Sequence, residues 1–115
     1  MIGRMGCLVC KIIAREIPSE ILAENEHALA FRDINPVAPT HVLVIPKKHL
    51  AGLSDAAPED GGALGEVLLL ARAVAAKELS QGYRLVINNG ADAGQSVFHL
   101  HVHVLGGRPL AWPPG

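Results

Sequence analysis

Three of the six histidines in this chain stand at alternate positions of one apolar run, Val97-Phe98-His99-Leu100-His101-Val102-His103-Val104-Leu105. Successive side chains of a strand point to opposite faces, so residues two apart share a face about 6.5–7 Å from one another. The alternation predicts a strand over 97–105, with His99, His101 and His103 in a row on one face. Leu100, Val102 and Val104 then turn into a core. Imidazole nitrogens serve as nucleophile, acid, base, hydrogen-bond donor or metal ligand near neutral pH. A merely solvated face would be served as well by Thr, Lys, Glu or Ser, so the row points to chemistry.

Two chemistries fit. In one, a neutral imidazole attacks phosphorus to form a nucleotidyl-histidine that water then releases. Flanking imidazoles and loop amides stabilise charge on the phosphate oxygens, and a nearby hydroxyl or imidazole protonates the leaving group. His101 is the natural nucleophile because it has a histidine on each side. In the other, His-x-His plus a further ligand holds zinc with an open position and activates water. The segment Asn88-Asn89-Gly90-Ala91-Asp92-Ala93-Gly94-Gln95-Ser96 favours the phosphate. Its glycines admit positive φ and let backbone N–H groups converge on an anion. It also delivers Asn88, Gln95 and Ser96 beside the imidazoles. No acidic residue near the strand supports a histidine-bound metal there.

The two cysteines, Cys7 and Cys10, form a C-x-x-C. In a reducing compartment this spacing reads as half a metal site or a redox pair, or as two small buried hydrophobes on a helix. Zinc would need two more ligands, most simply histidines.

The composition bounds the setting. A chain of 115 residues makes one domain or one subunit of a small oligomer. Half of it is hydrophobic with few aromatics, so the core is built from Leu, Ile, Val and Ala. A formal charge of -1 without a basic block argues against a general nucleic-acid or membrane-surface binder, though not against a small phosphate ligand. No run approaches the roughly 18 apolar residues of a membrane span. The N-terminus lacks the long apolar stretch of a secretory signal. The expected location is cytoplasmic.

In chain order, residues 1–6 read as a frayed end, and Cys7 to about Arg15 as a short helix with Leu8, Ile12 and Val9 apolar. Pro18 stops it. Two strand-like runs, about 21–25 and 28–33, flank the turn Glu24-Asn25-Glu26 and predict a hairpin. Asp33 precedes a rigid Pro-containing loop, where its carboxylate caps a turn or accepts from ribose hydroxyls; the residues alone favour the cap. His41–Pro46 is the most hydrophobic strand and reads as central. The Lys47-Lys48 pair reads as a solvated patch. His41 and His49 either lie on the surface or face the row. Ser54 or Asp55 is a candidate cap for one long amphipathic helix from Pro58 to Ser80, ended by Gly82. Its apolar face reads as Leu64, Val67/Leu68, Ala71, Val74/Ala75 and Leu79. Tyr83–Asn88 alternates as a strand. The tail carries a lone Trp112, which suggests docking on its own core or a second subunit. Strands cluster without βα alternation, so the class is α+β with a mostly antiparallel sheet.

His99-Leu-His101-Val-His103-Val-Leu105 resembles the signature of the histidine triad (HIT) superfamily. Glu16-Ile17-Pro18, Phe31-Arg32-Asp33-Ile34, Ala38-Pro39-Thr40-His41, Gly94-Gln95-Ser96-Val97, Leu105-Gly106-Gly107-Arg108 and the terminal Trp112-Pro113-Pro114-Gly115 are similar to its histidine triad nucleotide-binding (HINT) branch. The likeness covers nearly the whole chain as a single HIT domain, 1–115. It implies a sheet of about five strands, one long and one short helix, and a homodimer whose sheets join. The implied activity is hydrolysis of a purine nucleoside 5′-phosphoramidate to the monophosphate and an amine, with no cofactor required for catalysis. His101 would be the nucleophile, His99 and His103 would contact phosphate oxygens, and His41 would support them. Ser96 would bond the leaving group, and Asn88, Gly94, Gln95 and the backbone near Val97 would hold the phosphate. The resemblance gives Asp33 the ribose, reversing the preference from the residues alone. It makes Leu8, Val9, Ile12 and Ile34 the base sandwich and sends Trp112 toward the partner's site. In several bacterial relatives a matching C-x-x-C joins two histidines in a structural zinc site. The corresponding positions are Cys7, Cys10, His49 and His99, and zinc there would divert His99 from the phosphate. Two further readings stand beside the phosphoramidase: a nucleotide-binding regulatory protein with incidental activity, and a zinc-dependent hydrolase.

Overall fold

A computed structural model describes residues 6–115; residues 1–5 of the expected frayed end at 1–6 lie outside the described residues. Helix α1 (Leu8–Ile13) leads into strands β1 (Ile21–Glu24), β2 (Ala28–Arg32) and β3 (Thr40–Pro46). Helix α2 (Gly61–Glu78) then precedes β4 (Tyr83–Val86) and β5 (Val102–Gly106). The five strands form one antiparallel sheet in the order β1-β2-β3-β5-β4. The α+β class and the mostly antiparallel five-stranded sheet are thus as read from the sequence. The hydrophobic β3 lies in the middle.

The sheet's two faces do different work. On one, Ala28, Ala30, Val42, Val44, Val102 and Val104 pack against Val67, Leu70, Ala71, Val74 and Ala75 of α2. The buried helix face includes Leu70 where the sequence suggested Leu68, which is half exposed along with Leu69. On the other face, Leu29, Phe31 and Ile45 pack with Cys7, Val9 and Ile12 of the α1 region. Alternation along β3 and β5 puts His41 and His103 on this second side, away from α2.

Several local expectations shift. The long helix begins at Gly61 after a separate 3-10 turn over Pro58–Asp60. Neither Ser54 nor Asp55 caps it; Asp60 stands at that position, and its carboxylate accepts from Ala57 N–H and from Lys48 Nζ at 2.7 Å. Lys47 and Lys48 are therefore tethers, to Glu24 and Asp60, more than a solvated patch. No described helix is long and apolar enough to cross a membrane.

The largest correction concerns the histidine strand. The ladder between β3 and β5 ends at Val44 opposite Val102, so residues 97–101 are not strand. Pro46 would sit at the next alternate step of β3, and it has no N–H to offer a ladder. Leu100 N–H bonds Leu50 O at 2.7 Å instead. The row of three is broken at that point.

Candidate active site

His101 and His103 keep the expected proximity, their ring centroids 5.0 Å apart, and His41 lies 5.1 Å from His103. The hydrogen bonds settle which nitrogen of each ring carries a proton. Val37 N–H donates to His41 Nδ1 at 3.1 Å, so a neutral His41 is protonated at Nε2. That Nε2–H reaches His103 Nδ1 at 2.8 Å, with Asp33 Oδ2 at 3.3 Å as a second acceptor. His103 Nδ1 is then an acceptor, which leaves its own Nε2–H as a donor. His101 Nδ1–H donates to the His99 carbonyl at 2.7 Å, so its Nε2 carries the lone pair. The result is one imidazole with a nucleophilic nitrogen beside one with a donor.

Burial keeps the supporting rings neutral. His103 is held down to about 4, first by burial and then by the neighbouring His101 and His41, against the pull of Asp33. His41 is likewise lowered by burial, with Asp33 opposing. Asp33, His41 and His103 sit close enough to suggest a metal triad. However, His41 Nδ1 is committed to a backbone N–H, so its Nε2 bears the proton and has no lone pair to ligate with.

A pocket of about 320 Å³ opens over these groups, lined by His101, His103, Ser96, Val97, Asp33 and Ile34 together with Leu8, Val9 and Ile12. Volumes of this order suit small-molecule ligands. A larger cavity among the described residues, about 550 Å³ around the end of α2, contains none of these residues. The lining also includes Ile17, Pro18, Ser19, Phe31, Arg32, Asn35 and Leu43, which the sequence reading did not single out. Pro18 had signalled a helix stop, and Ile17, Pro18, Phe31 and Arg32 had entered only as matches to the family motifs, with no site role given. Asp33 caps the turn, its Oδ1 accepting from Asn35 N–H at 2.8 Å, while its Oδ2 lies 3.3 Å from His41 Nε2 in the pocket wall.

Four other candidates lie off the pocket lining. Gln95 is buried and spends its amide on the loop, accepting from Gly90 N–H and donating to Ala51 O and Val97 O. It shapes the bend that Gly90 and Gly94 allow with φ of 91° and 94°. Gly94 is part of that bend, and Asn88 precedes it. Trp112 is 80% exposed, with the Arg84 guanidinium 5.7 Å from its ring centre.

His99 belongs elsewhere. It is fully buried, and its Nε2–H donates to Pro46 O at 2.9 Å, leaving Nδ1 as a lone pair. That nitrogen meets Cys7 Sγ at 3.4 Å, Cys10 Sγ at 3.5 Å and His49 Nδ1 at 3.1 Å. Cys10 Sγ lies 3.3 Å from His49 Nδ1, and all four atoms fall within 4.8 Å of one another. Ligands of a tetrahedral zinc at about 2.0–2.3 Å stand about 3.3–3.8 Å apart. The two sulfurs and two nitrogens therefore fit that ion, with His99 oriented from behind by a carbonyl as metal-bound histidines usually are. His99 is held down to about 4, mainly by burial, and so keeps this nitrogen unprotonated.

A neutral imidazole row beside a Gly-bent loop, on the face of a five-stranded antiparallel sheet opposite its long helix, defines a class of protein. The HIT domain family matches residues 14–110, and the chain belongs to that family. Among individual proteins, an uncharacterized HIT-like protein of Synechocystis is 60% identical over 106 residues, 91% of this chain and 93% of that one. A HIT family hydrolase of Legionella pneumophila has a TM-score of 0.91 at 50% identity, covering 95% of this chain and 99% of its own. A zinc-bound histidine triad protein of Mycobacterium smegmatis has a TM-score of 0.78 at 36% identity, covering 92% of this chain and 78% of its own.

Proposed function

We propose that this protein is a purine nucleoside 5′-phosphoramidate hydrolase of the HINT branch, working through a nucleotidyl-histidine. One observation carries the reading: His101 Nδ1–H is tied to the His99 carbonyl, which leaves the Nε2 lone pair available in the pocket beside a donor imidazole. The similar Legionella protein described as a hydrolase supports the reaction type.

In the proposed reaction His101 Nε2 forms a bond to phosphorus as the P–N bond breaks. The His101 ring becomes cationic while its Nδ1–H stays on the His99 carbonyl. The departing amine takes a proton that solvent water passes through the Ser96 hydroxyl at the pocket wall, and the water that later attacks phosphorus returns one proton to solvent, so the cycle balances. His103 Nε2–H donates to a phosphate oxygen, and His41 holds His103 in that tautomer through the bond at 2.8 Å. Because His103 and His41 are neutral, they stabilise the phosphoryl group as oriented dipoles. Water then attacks phosphorus, the P–Nε2 bond breaks, and the monophosphate leaves. In this reading Leu8, Val9, Ile12 and Ile34 wall the base and Asp33 accepts from the ribose hydroxyls; their shared place in the pocket lining supports it.

The structural-zinc reading rests on the Cys7, Cys10, His49 and His99 donor set. With four protein ligands it has no open position for water, and none of its members lines the pocket. Zinc there would supply cross-linking of three segments and no step of the reaction, which favours the covalent route over a zinc-dependent hydrolase.

A homodimer completes the proposal. β4 is a sheet edge, and Tyr83, Leu85 and Ile87 on it or just beyond it are exposed, as are Leu68 and Leu69 on α2. Unpaired edges with apolar neighbours favour a second copy. The test of the function is mass spectrometry of the protein quenched during turnover of adenosine 5′-phosphoramidate. A nucleotide mass on the peptide carrying His101 is expected. Rapid hydrolysis by His101→Asn would rule out the route.

A further inference from the structure

We infer that the Cys7–Cys10–His49–His99 cluster is a positioning device for the active site, whose closure sets both the base-pocket wall and the orientation of His101. The inference rests on the proposed function only for its meaning in turnover; its geometry stands alone.

Two connections lead from the cluster to the pocket. The first is α1. It has six residues, and a helix so short is not stable by itself. Cys7 and Cys10 bracket Leu8 and Val9, and Leu8, Val9 and Ile12 all line the pocket. Cys7 Sγ also accepts from Cys10 N–H at 3.3 Å, so the sulfurs help to hold the first turn. Packing of Cys7, Val9 and Ile12 with Leu29, Phe31 and Ile45 holds this helix to the sheet, and the cluster anchors its first turn.

The second connection is the His99 carbonyl, which fixes His101 Nδ1–H at 2.7 Å. Residues 97–101 lie outside the ladder, so sheet pairing does not place that carbonyl. Two anchors place it: Leu100 N–H, on the same peptide unit, bonds Leu50 O at 2.7 Å, and the His99 ring is pinned by Pro46 O on one edge and by the cluster on the other. His49 ties in the segment whose Leu50 carbonyl holds Leu100 N–H. Opening the cluster thus frees α1, the 97–101 segment and the 47–50 segment together. His99 acts through His101 and is a positioning residue, not a catalytic one.

The test compares full-length protein loaded with zinc, stripped by a chelator, and reloaded. Two readouts need no substrate: amide hydrogen exchange, and the ring tautomer of His101 by histidine-labelled nitrogen NMR at pH 8. A third is AMP affinity by calorimetry. On stripping, exchange should speed up across residues 8–13 while α2 and the ladder stay protected. His101 should pass from one Nδ1–H tautomer to a mixture. AMP affinity should fall about tenfold or more, the scale at which disturbing supporting partners acts. Zinc should restore all three. If stripping unfolds the whole chain, His49→Gln, which removes one partly exposed ligand, is read in the same ways and should show the same local changes. Failure to take up zinc overturns the inference. So does a stripped or substituted protein with unchanged exchange and a single unchanged tautomer. If AMP does not bind the loaded protein, the proposed function fails, and exchange and tautomer decide the coupling by themselves.

Discussion

His99 and His101 are two residues apart and lead opposite lives. His99 gives its Nε2–H to Pro46 O and turns a bare Nδ1 toward two sulfurs and another imidazole. His101 gives its Nδ1–H to the His99 carbonyl and turns a bare Nε2 to the pocket. Both rings are the same chemical group, and each is assigned by the carbonyl that takes its other proton. The first region is closed, buried and suited to holding an ion. The second is open to ligand and suited to attack. The backbone of one residue serves the second region while its side chain serves the first.

The comparison can be broken hardest at His101. His101→Asn should lower the single-turnover rate on adenosine 5′-phosphoramidate by about 10⁴-fold or more, with AMP affinity by calorimetry changed by no more than about threefold. Comparable losses in both quantities would mean that the ring binds and does not attack. Next comes His99→Ala. Removing a fully buried ring leaves a cavity and an unpaired Pro46 carbonyl, so urea denaturation should show a loss of about 2–4 kcal/mol. His101→Asn should change stability far less. A third substitution, His41→Leu, removes the donor to His103 without touching the pocket wall. It should reduce kcat about 10–100-fold with little change in KM.

Stability should also respond to acid. His103, near 4 in the fold, and the lowered His41 stay neutral where their unfolded counterparts, near 6.5, take up protons. The unfolded chain therefore binds more protons between pH 6.5 and about 4, and stability falls as pH drops through that window. Denaturation midpoints at pH 7 and pH 4.5 would show the decline, and His103→Gln should lessen it, the part due to His99 and His41 remaining. The smallest effect is expected at Arg15, whose bond to Glu24 at 2.6 Å is exposed. Arg15→Ala should alter stability by about 0.2–1 kcal/mol, a baseline against which the buried bonds can be judged.

Much of the fold was legible because its signals are local. The hairpin about Asn25, the apolar run of β3 and the 3.6 period of α2 each follow from residues near in sequence. The pocket residues Leu8, Val9, Ile12, Asp33 and Ile34 came from likeness to a family, since no spacing relates residue 8 to residue 101. Ile17, Ser19, Phe31, Arg32 and Asn35 carried turn or strand signals and gave no hint that they line the pocket.

The chain's own order determined that three imidazoles would alternate, that Val102 and Val104 would face a core, and that a Gly-bent loop would precede them. It could not determine that the alternation would stop being a strand below residue 102. That depended on Pro46, 53 residues before His99, arriving at the neighbouring position with a carbonyl and no N–H. Covalent spacing fixes which face a side chain takes only while the backbone is paired. Once pairing ended, hydrogen-bond partners brought by the tertiary structure decided which histidine would join the cysteines and which would line the pocket.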